Sequence, residues 1–402
     1  MGKKRDRWDS SSEDETDDNN TKSKGKDNKS SKRKPTSNDP ATPYSKKKDV
    51  LSSINQDTPP RLSVPLHNPL LQGCRAVYDT YDRIARLSEG TYGIVWKAKD
   101  LVTKEIVALK QIKFDPQIQQ QQGFPVTALR EINVLLALSH ENIVSVREMV
   151  VGSDVDKVFM VMEFFSLDLQ EAVERRKYPN VLRQAELKGV LQQILRGMEY
   201  MHSQWYMHRD MKTSNILVHE TGRVALCDFG LARRYQDPPI NYTQLVVTLW
   251  YRAPELLFGE EKYTPAIDIW SIGCIFGELI QQEAMMQGQG ELDQIDKIFS
   301  MLGAPDESSW PEFSSLPSAK IFRWRSASSS AASTQGLRQL FPINPPPHFK
   351  HTFLDGNGFD LLTKLLTLNP KKRITAKEAL KHPYFHEGVA PALPNFFDDT
   401  ML

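Results

Sequence analysis

A short loop near the middle of this 402-residue chain, His-Arg-Asp-Met-Lys-Thr-Ser-Asn at residues 208–215, brings a carboxylate, an amine and an amide close together. Apolar residues at helical spacing precede it, so a helix leads into the loop. These residues are Leu187, Val190, Leu191, Ile194, Leu195, Met198 and Met201. Phosphoryl transfer needs a carboxylate to receive the attacking hydroxyl's proton, a positive charge beside the γ-phosphate, and an oxygen ligand for magnesium. Asp210, Lys212 and Asn215 would supply these three roles.

Two further motifs follow in the order that this chemistry requires. Asp-Phe-Gly at residues 228–230 would give a second magnesium ligand through Asp228, and Ala-Pro-Glu at residues 253–255 would end an activation loop. Cys227 directly precedes the aspartate. It is either a thiol that faces the nucleotide or a small buried hydrophobe, and the second interpretation is the commoner one for a free cysteine.

Upstream, two glycines and a lysine each have two interpretations. Gly90 and Gly93 would let backbone amides approach phosphate oxygens closely, but two glycines at this spacing more often mark an ordinary hairpin. A complete glycine-rich loop would also have glycine where Ser88 stands. Lys110 ends an apolar strand, where a lysine usually extends its amine into solvent. A partner on the next helix, Glu131, would instead aim the ammonium at the α- and β-phosphates.

The apolar pattern predicts an α+β architecture of two lobes, small and sheet-rich, then large and helical. The predicted strands are residues 94–98, 106–110 and 158–162. The predicted helices are one after Pro125 that contains Leu129, Ile132 and Leu136, one over 187–201, and two at 265–280 and 361–385. The helix at 265–280 is apolar on most faces, as expected at the centre of a core. Residues 326–336 are predicted to form a flexible insertion.

Residues 1 to about 75 predict a disordered charged tail, because they hold too little apolar surface to offset the entropy of ordering. Its basic cluster at residues 29–34 is typical of nuclear import, although a solvated charge run explains it equally well. The chain carries 51 Lys plus Arg against 50 Asp plus Glu, which argues against nucleic-acid binding through overall charge. Three cysteines, no signal sequence and no membrane-length apolar run lead us to expect neither a secreted nor a transmembrane protein.

Taken together, the motifs resemble the eukaryotic protein kinase family over residues 81–385. The resemblance is closer to the cyclin-dependent kinases, and closest to their PITSLRE subgroup, because residues 125–131 read Pro-Val-Thr-Ala-Leu-Arg-Glu and residues 246–255 are similar to that subgroup. Ser88 replaces the first loop glycine, which the subgroup tolerates. Ala-Met-Met at residues 284–286 stands instead of the family's Leu-Phe-Pro-Gly stretch, and this bears on docking rather than on chemistry.

The resemblance implies a bilobal protein kinase fold with an N-lobe at residues 81–165, a C-lobe at residues 166–385 and a C-terminal tail at residues 386–402. It implies a cyclin-dependent serine/threonine kinase that uses ATP and Mg²⁺, in cell-cycle or transcription and RNA-processing control. A cyclin would dock on the Pro-Val-Thr-Ala-Leu-Arg-Glu helix and push Glu131 toward Lys110. The substrates would be proteins with Ser/Thr-Pro sites.

Proline direction is implied through Val247 and Arg252. In the family, this part of the activation segment offers no acceptor for the amide of the residue after the target. Proline, which has no N–H, leaves nothing unsatisfied there.

The resemblance also assigns a nucleotide site. Residues 163–165 would be the hinge that hydrogen-bonds adenine, with Met162 as gatekeeper and Asp168 near the ribose. The implied ATP-binding residues are Leu87, Ser88, Glu89, Gly90, Thr91, Tyr92, Gly93, Ile94, Val95, Ala108, Lys110, Met162, Glu163, Phe165, Asp168 and Leu217.

Three phosphorylation sites are implied. Thr243 corresponds to the activating site in the activation loop, and Thr91 and Tyr92 correspond to inhibitory sites in the glycine loop. The phosphate on Thr243 would be gripped by Arg130, Arg209 and Arg233, because a dianion opposite three guanidiniums can order a loop.

Other classes of function remain open at this stage. A pseudokinase that scaffolds a cyclin complex is the main alternative, although Lys110, Glu131, Asp210, Asn215 and Asp228 are all present. The basic tail would make the chain a nucleic-acid-binding module only if the tail bound nucleic acid by itself. The basic cluster and the resemblance predict residence in the nucleus, with the cytoplasm as a second location.

Overall fold

The computed structural model describes residues 75–90, 93–113, 125–152, 157–176, 181–243, 246–320, 335–342 and 351–397. The predicted tail up to residue 74, Thr91, Tyr92 and residues 398–402 lie outside the described residues. So do residues 326–334 of the predicted insertion, whereas Gln335 and Gly336 begin a helix.

A twisted sheet in the order β1–β5–β6–β4–β3–β2 forms the small lobe of the described chain. Its strands are β1 (Arg75–Ala76), β2 (Tyr81–Gly90), β3 (Gly93–Asp100), β4 (Ile106–Ile112), β5 (Val146–Val151) and β6 (Val158–Glu163). Neighbouring strands are antiparallel except β1 and β5. The predicted strands at residues 94–98, 106–110 and 158–162 are confirmed as parts of β3, β4 and β6.

Regular structure begins before Tyr81, the first residue of the N-lobe that the resemblance implied. β1 and the short helix α1 (Val77–Thr80) precede it. Arg75 pairs with Glu148 of β5, and the hydroxyl of Tyr81 donates to the same carboxylate at 2.5 Å. This ion pair fastens β1 to the sheet edge, a long-range contact that composition alone does not indicate.

Helix α2 (Val126–Ala137) is the helix predicted after Pro125, which is its N-cap. Pro125 suits this position because a helix start requires no backbone N–H from it. The helix buries Ala128, Glu131, Val134 and Leu135. A glutamate on the buried face is unusual and marks the point where the small lobe meets the site described below.

The large lobe is mainly helical. Its helices are α3 (Leu169–Arg175), α4 (Gln184–Ser203), α5 (Pro254–Leu257), α6 (Ala266–Gln281), α7 (Glu291–Leu302), α8 (Gln335–Leu340), α9 (Gly356–Leu365), α10 (Ala376–Ala379) and α11 (Pro383–His386). The predicted helices at 187–201 and 265–280 are confirmed as α4 and α6, and every residue from Ile267 to Gln281 is buried. No helix in the described ranges combines the length and apolar character needed to cross a bilayer.

Short strands connect these helices to the small lobe. They are β7 (Leu167–Asp168), β8 (Tyr206–Met207), β9 (Ile216–Val218), β10 (Val224–Leu226) and β11 (Arg233–Arg234). β7, β9 and β10 form one antiparallel sheet, and β8 pairs with β11. β7 follows β6 closely in the sequence, so this strand lies where the chain passes from the small lobe into the large one.

The prediction of one helix over residues 361–385 is wrong. Three helices, α9, α10 and α11, occupy this region. α9 ends before Pro370, which cannot continue a helical hydrogen-bond ladder. Thr375 starts α10 through a capping box with Glu378, and Pro383 is the first residue of α11. Apolar residues recur across all three, and this periodicity hid the breaks.

Residues 387–397, which belong to the C-terminal tail that the resemblance implied, contact α4. The Ala392 amide donates to the Ala185 carbonyl at 2.9 Å. A Cβ at Gly189 would lie 1.8 Å from the Ala392 carbonyl oxygen, so only glycine permits this approach. The ammonium of the fully buried Lys188 donates to the Glu387 carbonyl at 3.0 Å.

The same segment borders a buried ion pair. Arg176 and Glu186 lie 3.0 Å apart, both almost fully buried, and Arg176 also donates to the Asn395 carbonyl. Burial opposes ionisation of Glu186, but the hydrogen bonds from Arg176 and Arg183 lower its pKa to about 2. A depressed pKa adds stability above the unfolded value near 4.5, which is lost as the pH falls toward 2.

We therefore predict that Glu186→Gln lowers the free energy of unfolding by roughly 2 to 3 kcal/mol at pH 7, and by progressively less from pH 4.5 downward. Urea titrations of both proteins at pH 7, 5, 4 and 3 measure this. Glu171→Gln, which removes the exposed partner of Arg175, is the matched control and should keep the wild-type pH dependence. A gap between wild type and Glu186→Gln that stays constant from pH 7 to 3 would contradict the prediction.

Candidate active site

A cavity of about 500 Å³ lies between the sheet of the small lobe and the strands that begin the large lobe. Most of the predicted nucleotide and metal residues line it. These are Leu87, Ser88, Gly93, Val95, Ala108, Lys110, Glu131, Met162, Glu163, Phe165, Asp168, Asn215, Leu217 and Asp228. Ile94, also predicted, is not among the lining residues. Glu89 and Gly90 are placed here only as backbone of β2, paired with Ile94 and Gly93 of β3.

Gly93 is needed for a structural reason. A Cβ at this position would lie 2.1 Å from the Gln111 carbonyl oxygen on β4. The close approach of β3 and β4 therefore excludes any side chain here. The hairpin interpretation and the nucleotide interpretation of this glycine are compatible, because the same residue also lines the cavity.

Lys110 and Glu131 form the ion pair that the sequence suggested. The Lys110 ammonium donates to both Glu131 carboxylate oxygens, at 2.6 and 2.8 Å, and lies 4.0 Å from Asp228 Oδ1. Burial disfavours the charge on Lys110, but the carboxylates of Glu131 and Asp228 outweigh it and raise the pKa of the ammonium. The Lys110 side chain is therefore held in its charged form in the interior wall of the cavity, next to these two carboxylates.

Asp210 is held by hydrogen bonds on both carboxylate oxygens. Oδ1 accepts from the amide and the hydroxyl of Thr248, at 3.2 and 3.0 Å. Oδ2 lies 3.0 Å from Asn215 Nδ2 and 3.1 Å from the Lys212 ammonium. Burial opposes ionisation, but Lys212 brings the pKa of Asp210 below its ordinary value. Asp210 and Lys212 do not line the cavity themselves and reach it through Asn215.

Asp268 of α6 holds the loop that carries Asp210 in place. This fully buried carboxylate accepts from the amides of His208 and Arg209, both at 2.9 Å. It lies 3.0 Å from the His202 ring. Arg209 has a φ of 68°, a strained conformation that needs such support. Sequence reasoning missed Asp268, although a charged residue in the apolar run of α6 was the available signal.

Asn215 and Asp228 fit the requirements of a hard divalent cation. Asn215 Nδ2 donates to the carbonyl and to the carboxylate of Asp210, at 2.7 and 3.0 Å, so its amide oxygen remains as a ligand. Asp228 adopts a φ of 60°, and its Oδ1 is buried without a hydrogen-bond partner in the described residues. This oxygen lies 4.0 Å from the Lys110 ammonium but accepts no hydrogen bond within the described residues. It therefore suits Mg²⁺, which takes one or two protein oxygens together with phosphate and water.

The three predicted phosphate-gripping arginines lie around the turn that follows Asp228. Arg130 Nη1 donates to the Gly230 carbonyl at 3.3 Å, and Arg209 Nε donates to the next carbonyl, that of Leu231, at 2.8 Å. Burial and the positive charge of Arg209 both lower the pKa of Arg233. Burial is the larger cause, and the part that comes from the like charge of Arg209 is one that a bound anion would relieve.

Thr243 is exposed and connects to this cluster through one tyrosine. The Tyr263 hydroxyl donates to the Thr243 carbonyl at 2.7 Å and accepts from Arg209 Nη1, also at 2.7 Å. Two hydrogen bonds, both made by the Tyr263 hydroxyl, therefore connect the backbone of the predicted activating site to a predicted phosphate ligand. Thr91 and Tyr92, the predicted inhibitory sites, lie outside the described residues.

Several lining residues were not predicted. They are Val144, Ser166, Leu167, Glu171 and Ser214, and Cys227 lines the cavity as well. Burial raises the pKa of the Cys227 thiol, so the side chain behaves as a neutral, mostly apolar wall. Cys227 thus lines the predicted nucleotide cavity, as one interpretation expected, and is a small buried side chain, as the other expected.

Comparison with known proteins agrees with this geometry. The model of the family described as protein kinase domain matches residues 81–385. The chain is 46% identical over 327 residues to cyclin-dependent kinase G-2 of Oryza sativa subsp. indica, covering 81% of this chain and 44% of that protein. It is 45% identical over 334 residues to cyclin-dependent kinase 11B of Homo sapiens, covering 83% and 40%.

Cyclin-dependent kinase 11B of Rattus norvegicus is 44% identical over 334 residues, covering 83% of this chain and 72% of that protein. The chain thus spans less than half the length of the rice and human relatives and most of the rat one. The family match covers both lobes and every described element of the cavity. The chain therefore belongs to the protein kinase family and, within it, to the group of the cyclin-dependent kinases.

Proposed function

We propose that the chain is a cyclin-dependent, proline-directed serine/threonine kinase that transfers the γ-phosphate of ATP to protein hydroxyls. The observation that carries this proposal is the network around Asp210, an ionised carboxylate joined to Lys212, Asn215 and Thr248 beside the cavity. Its position lets one oxygen receive a proton while a cation stands next to it. This is the arrangement that hydroxyl attack on a phosphoryl group needs.

The residues of the cavity divide the work. The backbone of residues 163–165 would bind adenine, and the Lys110 ammonium, held by Glu131, would neutralise the phosphates. Asn215 and Asp228 would hold Mg²⁺, which supplies Lewis-acid stabilisation of the phosphate charge when bound. Asp210 would orient the substrate hydroxyl and take its proton, and Lys212 would stabilise charge on the transferred group.

The proposal of proline direction is supported by one carbonyl. Val247 has a φ of 67°, and its carbonyl oxygen accepts from Arg252 Nε at 3.2 Å and Nη2 at 3.1 Å. The acceptor is therefore already engaged and cannot serve the amide after the target residue. A buried amide without an acceptor costs free energy, whereas proline has no such N–H.

The experiment that tests this function measures phosphate transfer from Mg-ATP to matched Ser-Pro and Ser-Ala peptides, with and without a cyclin. We expect transfer to depend on the cyclin and to favour Ser-Pro by about tenfold or more in kcat/KM. Arg252→Met frees the Val247 carbonyl and should narrow that ratio severalfold by improving Ser-Ala.

The matched control is Glu291→Gln, which removes the ion-pair partner of Arg252 but leaves the bonds to Val247. It should keep the wild-type ratio. An Arg252→Met enzyme with an unchanged Ser-Pro to Ser-Ala ratio would overturn the mechanism of proline direction. Absence of transfer under every condition would overturn the kinase proposal itself and favour the scaffold alternative.

A cyclin partner on α2 is part of the proposal. The relatives carry the name cyclin-dependent kinase, and α2 exposes large apolar side chains, with Val126 55% and Leu136 70% exposed. Exposed apolar groups on one helix suit a protein interface. Because the same helix carries Glu131, a partner there would act directly on the pair with Lys110. Nuclear residence is likewise proposed, from the basic cluster at residues 29–34.

A further inference from the structure

The hinge, residues 163–165, contacts a tight turn of the large lobe. The β9–β10 turn (residues 219–223) is closed by backbone bonds from the His219 amide to the Arg223 carbonyl, at 2.8 Å, and from the Gly222 amide to the His219 carbonyl, at 2.9 Å. It belongs to the same antiparallel sheet as β7, which follows the hinge. The turn is therefore rigid and fixed relative to the large lobe.

Side chains of this turn contact three residues of the cavity wall in succession. Arg223 forms an ion pair with Glu163, and its guanidinium lies over the Phe165 ring, 4.9 Å from the centroid. The His219 ring packs edge-on against the same ring at 5.9 Å. Glu220 accepts from the Ser166 hydroxyl at 2.9 Å. Glu163, Phe165 and Ser166 line the cavity, whereas His219, Glu220 and Arg223 do not.

Arg223 also reaches a third segment. Its Nη1 donates to the Glu141 carbonyl at 3.0 Å, in the loop between α2 and β5. One guanidinium thus joins the hinge, this loop and the β9–β10 turn. A planar guanidinium can donate to these acceptors and lie flat over a ring at once, whereas a lysine ammonium has no planar face.

The C-terminal segment, residues 387–397, packs against the β9–β10 turn. Gly222 has a φ of 81°, and a Cβ there would lie 2.4 Å from the Pro394 carbonyl oxygen. Residues 393 and 394 therefore pack closely against the turn at Gly222. This packing restricts movement of the turn, and therefore of Arg223 relative to the large lobe.

We infer that Arg223 is a positioning residue for the nucleotide, which fixes Glu163 and Phe165 so that the hinge backbone meets adenine in one geometry. The inference rests on the proposed function and adds to it a determinant of nucleotide affinity outside the cavity. Arg223 is not among the residues that line the cavity, so it would act through the hinge. Its loss should weaken ATP binding without changing the chemistry at Asp210, because small displacements of binding groups are costly even when reacting groups stay in place.

The test compares Arg223→Ala and Arg223→Lys with wild type, each as the full chain with its cyclin. Binding of a fluorescent ADP analogue with Mg²⁺ gives Kd, and peptide phosphorylation gives kcat and KM for ATP and for peptide. For Arg223→Ala we expect Kd and KM for ATP to rise about three- to tenfold, while kcat and the peptide KM stay within twofold. The Kd and the KM for ATP of Arg223→Lys should lie between those of wild type and Arg223→Ala, because lysine keeps the charge opposite Glu163 but not the planar contact with Phe165.

Arg147→Ala is the matched control. Arg147 pairs with the exposed Glu105 near the hinge and does not line the cavity, so its loss should leave all constants unchanged. A nucleotide Kd for Arg223→Ala within twofold of wild type would overturn the inference. A fall in kcat together with a rise in the peptide KM would also overturn it, because such changes indicate general disruption of the enzyme. Failure of the wild-type chain to bind the ADP analogue would instead count against the proposed function.

Discussion

Asp210→Asn is expected to lower kcat for phosphate transfer at least about a hundredfold, because it removes the group that takes the hydroxyl proton. The replacement keeps the size of the side chain. It places an amide donor where Lys212 and Asn215 Nδ2 now donate to a carboxylate oxygen, so the network loses both its charge and an acceptor. Because Asp210 does not line the cavity, the KM for ATP should stay within about twofold.

The control for this variant is Asp296→Asn, at an exposed position on α7. It changes the net charge equally and should retain full activity. Steady-state phosphorylation of a Ser-Pro peptide, with nucleotide binding measured in parallel, separates loss of chemistry from loss of binding. Undiminished phosphate transfer by Asp210→Asn would contradict the proposal that Asp210 takes the proton of the substrate hydroxyl.

Arg373→Ala is expected to cause the largest loss of stability, about 3–5 kcal/mol, because it leaves a buried carboxylate without its partner. Arg373 donates to both oxygens of Glu255, at 2.7 and 2.9 Å, with the two side chains 0% and 1% exposed. It also donates to the carbonyls of Thr367, Leu368 and Ala266. One guanidinium thus ties the end of the activation segment to α6 and to the loop after α9.

A neighbouring lysine provides the matched control for that prediction. Lys371 pairs with Glu312 at 2.7 Å, but both side chains are largely exposed, so Lys371→Ala should leave the urea midpoint almost unchanged. Urea unfolding followed by tryptophan fluorescence measures both variants. Equally small shifts of the urea midpoint for Arg373→Ala and Lys371→Ala would contradict the prediction that the buried pair contributes more to stability than the exposed one.

The residues that could be predicted from the sequence are those whose chemistry is set by short spacing. Asp210, Lys212 and Asn215 lie within one loop, and their meeting follows from chain connectivity. The pair of Lys110 and Glu131 required more, because a strand and a helix must bring the two together. The order of motifs along the chain supplied that information through the family resemblance.

The rest depends on contacts between distant segments that have no local pattern. Asp268 supports the catalytic loop from a helix about 60 residues downstream, and only the folded core shows that its carboxylate faces the loop. Arg223 reaches the hinge from a turn that reads as an ordinary polar connection. The breaks at Pro370 and Pro383 were visible as prolines, but the apolar periodicity around them was given too much weight.

The packing of residues 387–397 across α4 has a consequence for how the large lobe opens. The Ala392 amide is bonded to α4, and Gly189 leaves no gap between the two backbones. The segment and the helix should therefore exchange their amide hydrogens as one cooperative unit, rather than by fraying of the chain from its end. Solvent would reach the middle of α4 only through fluctuations large enough to release both.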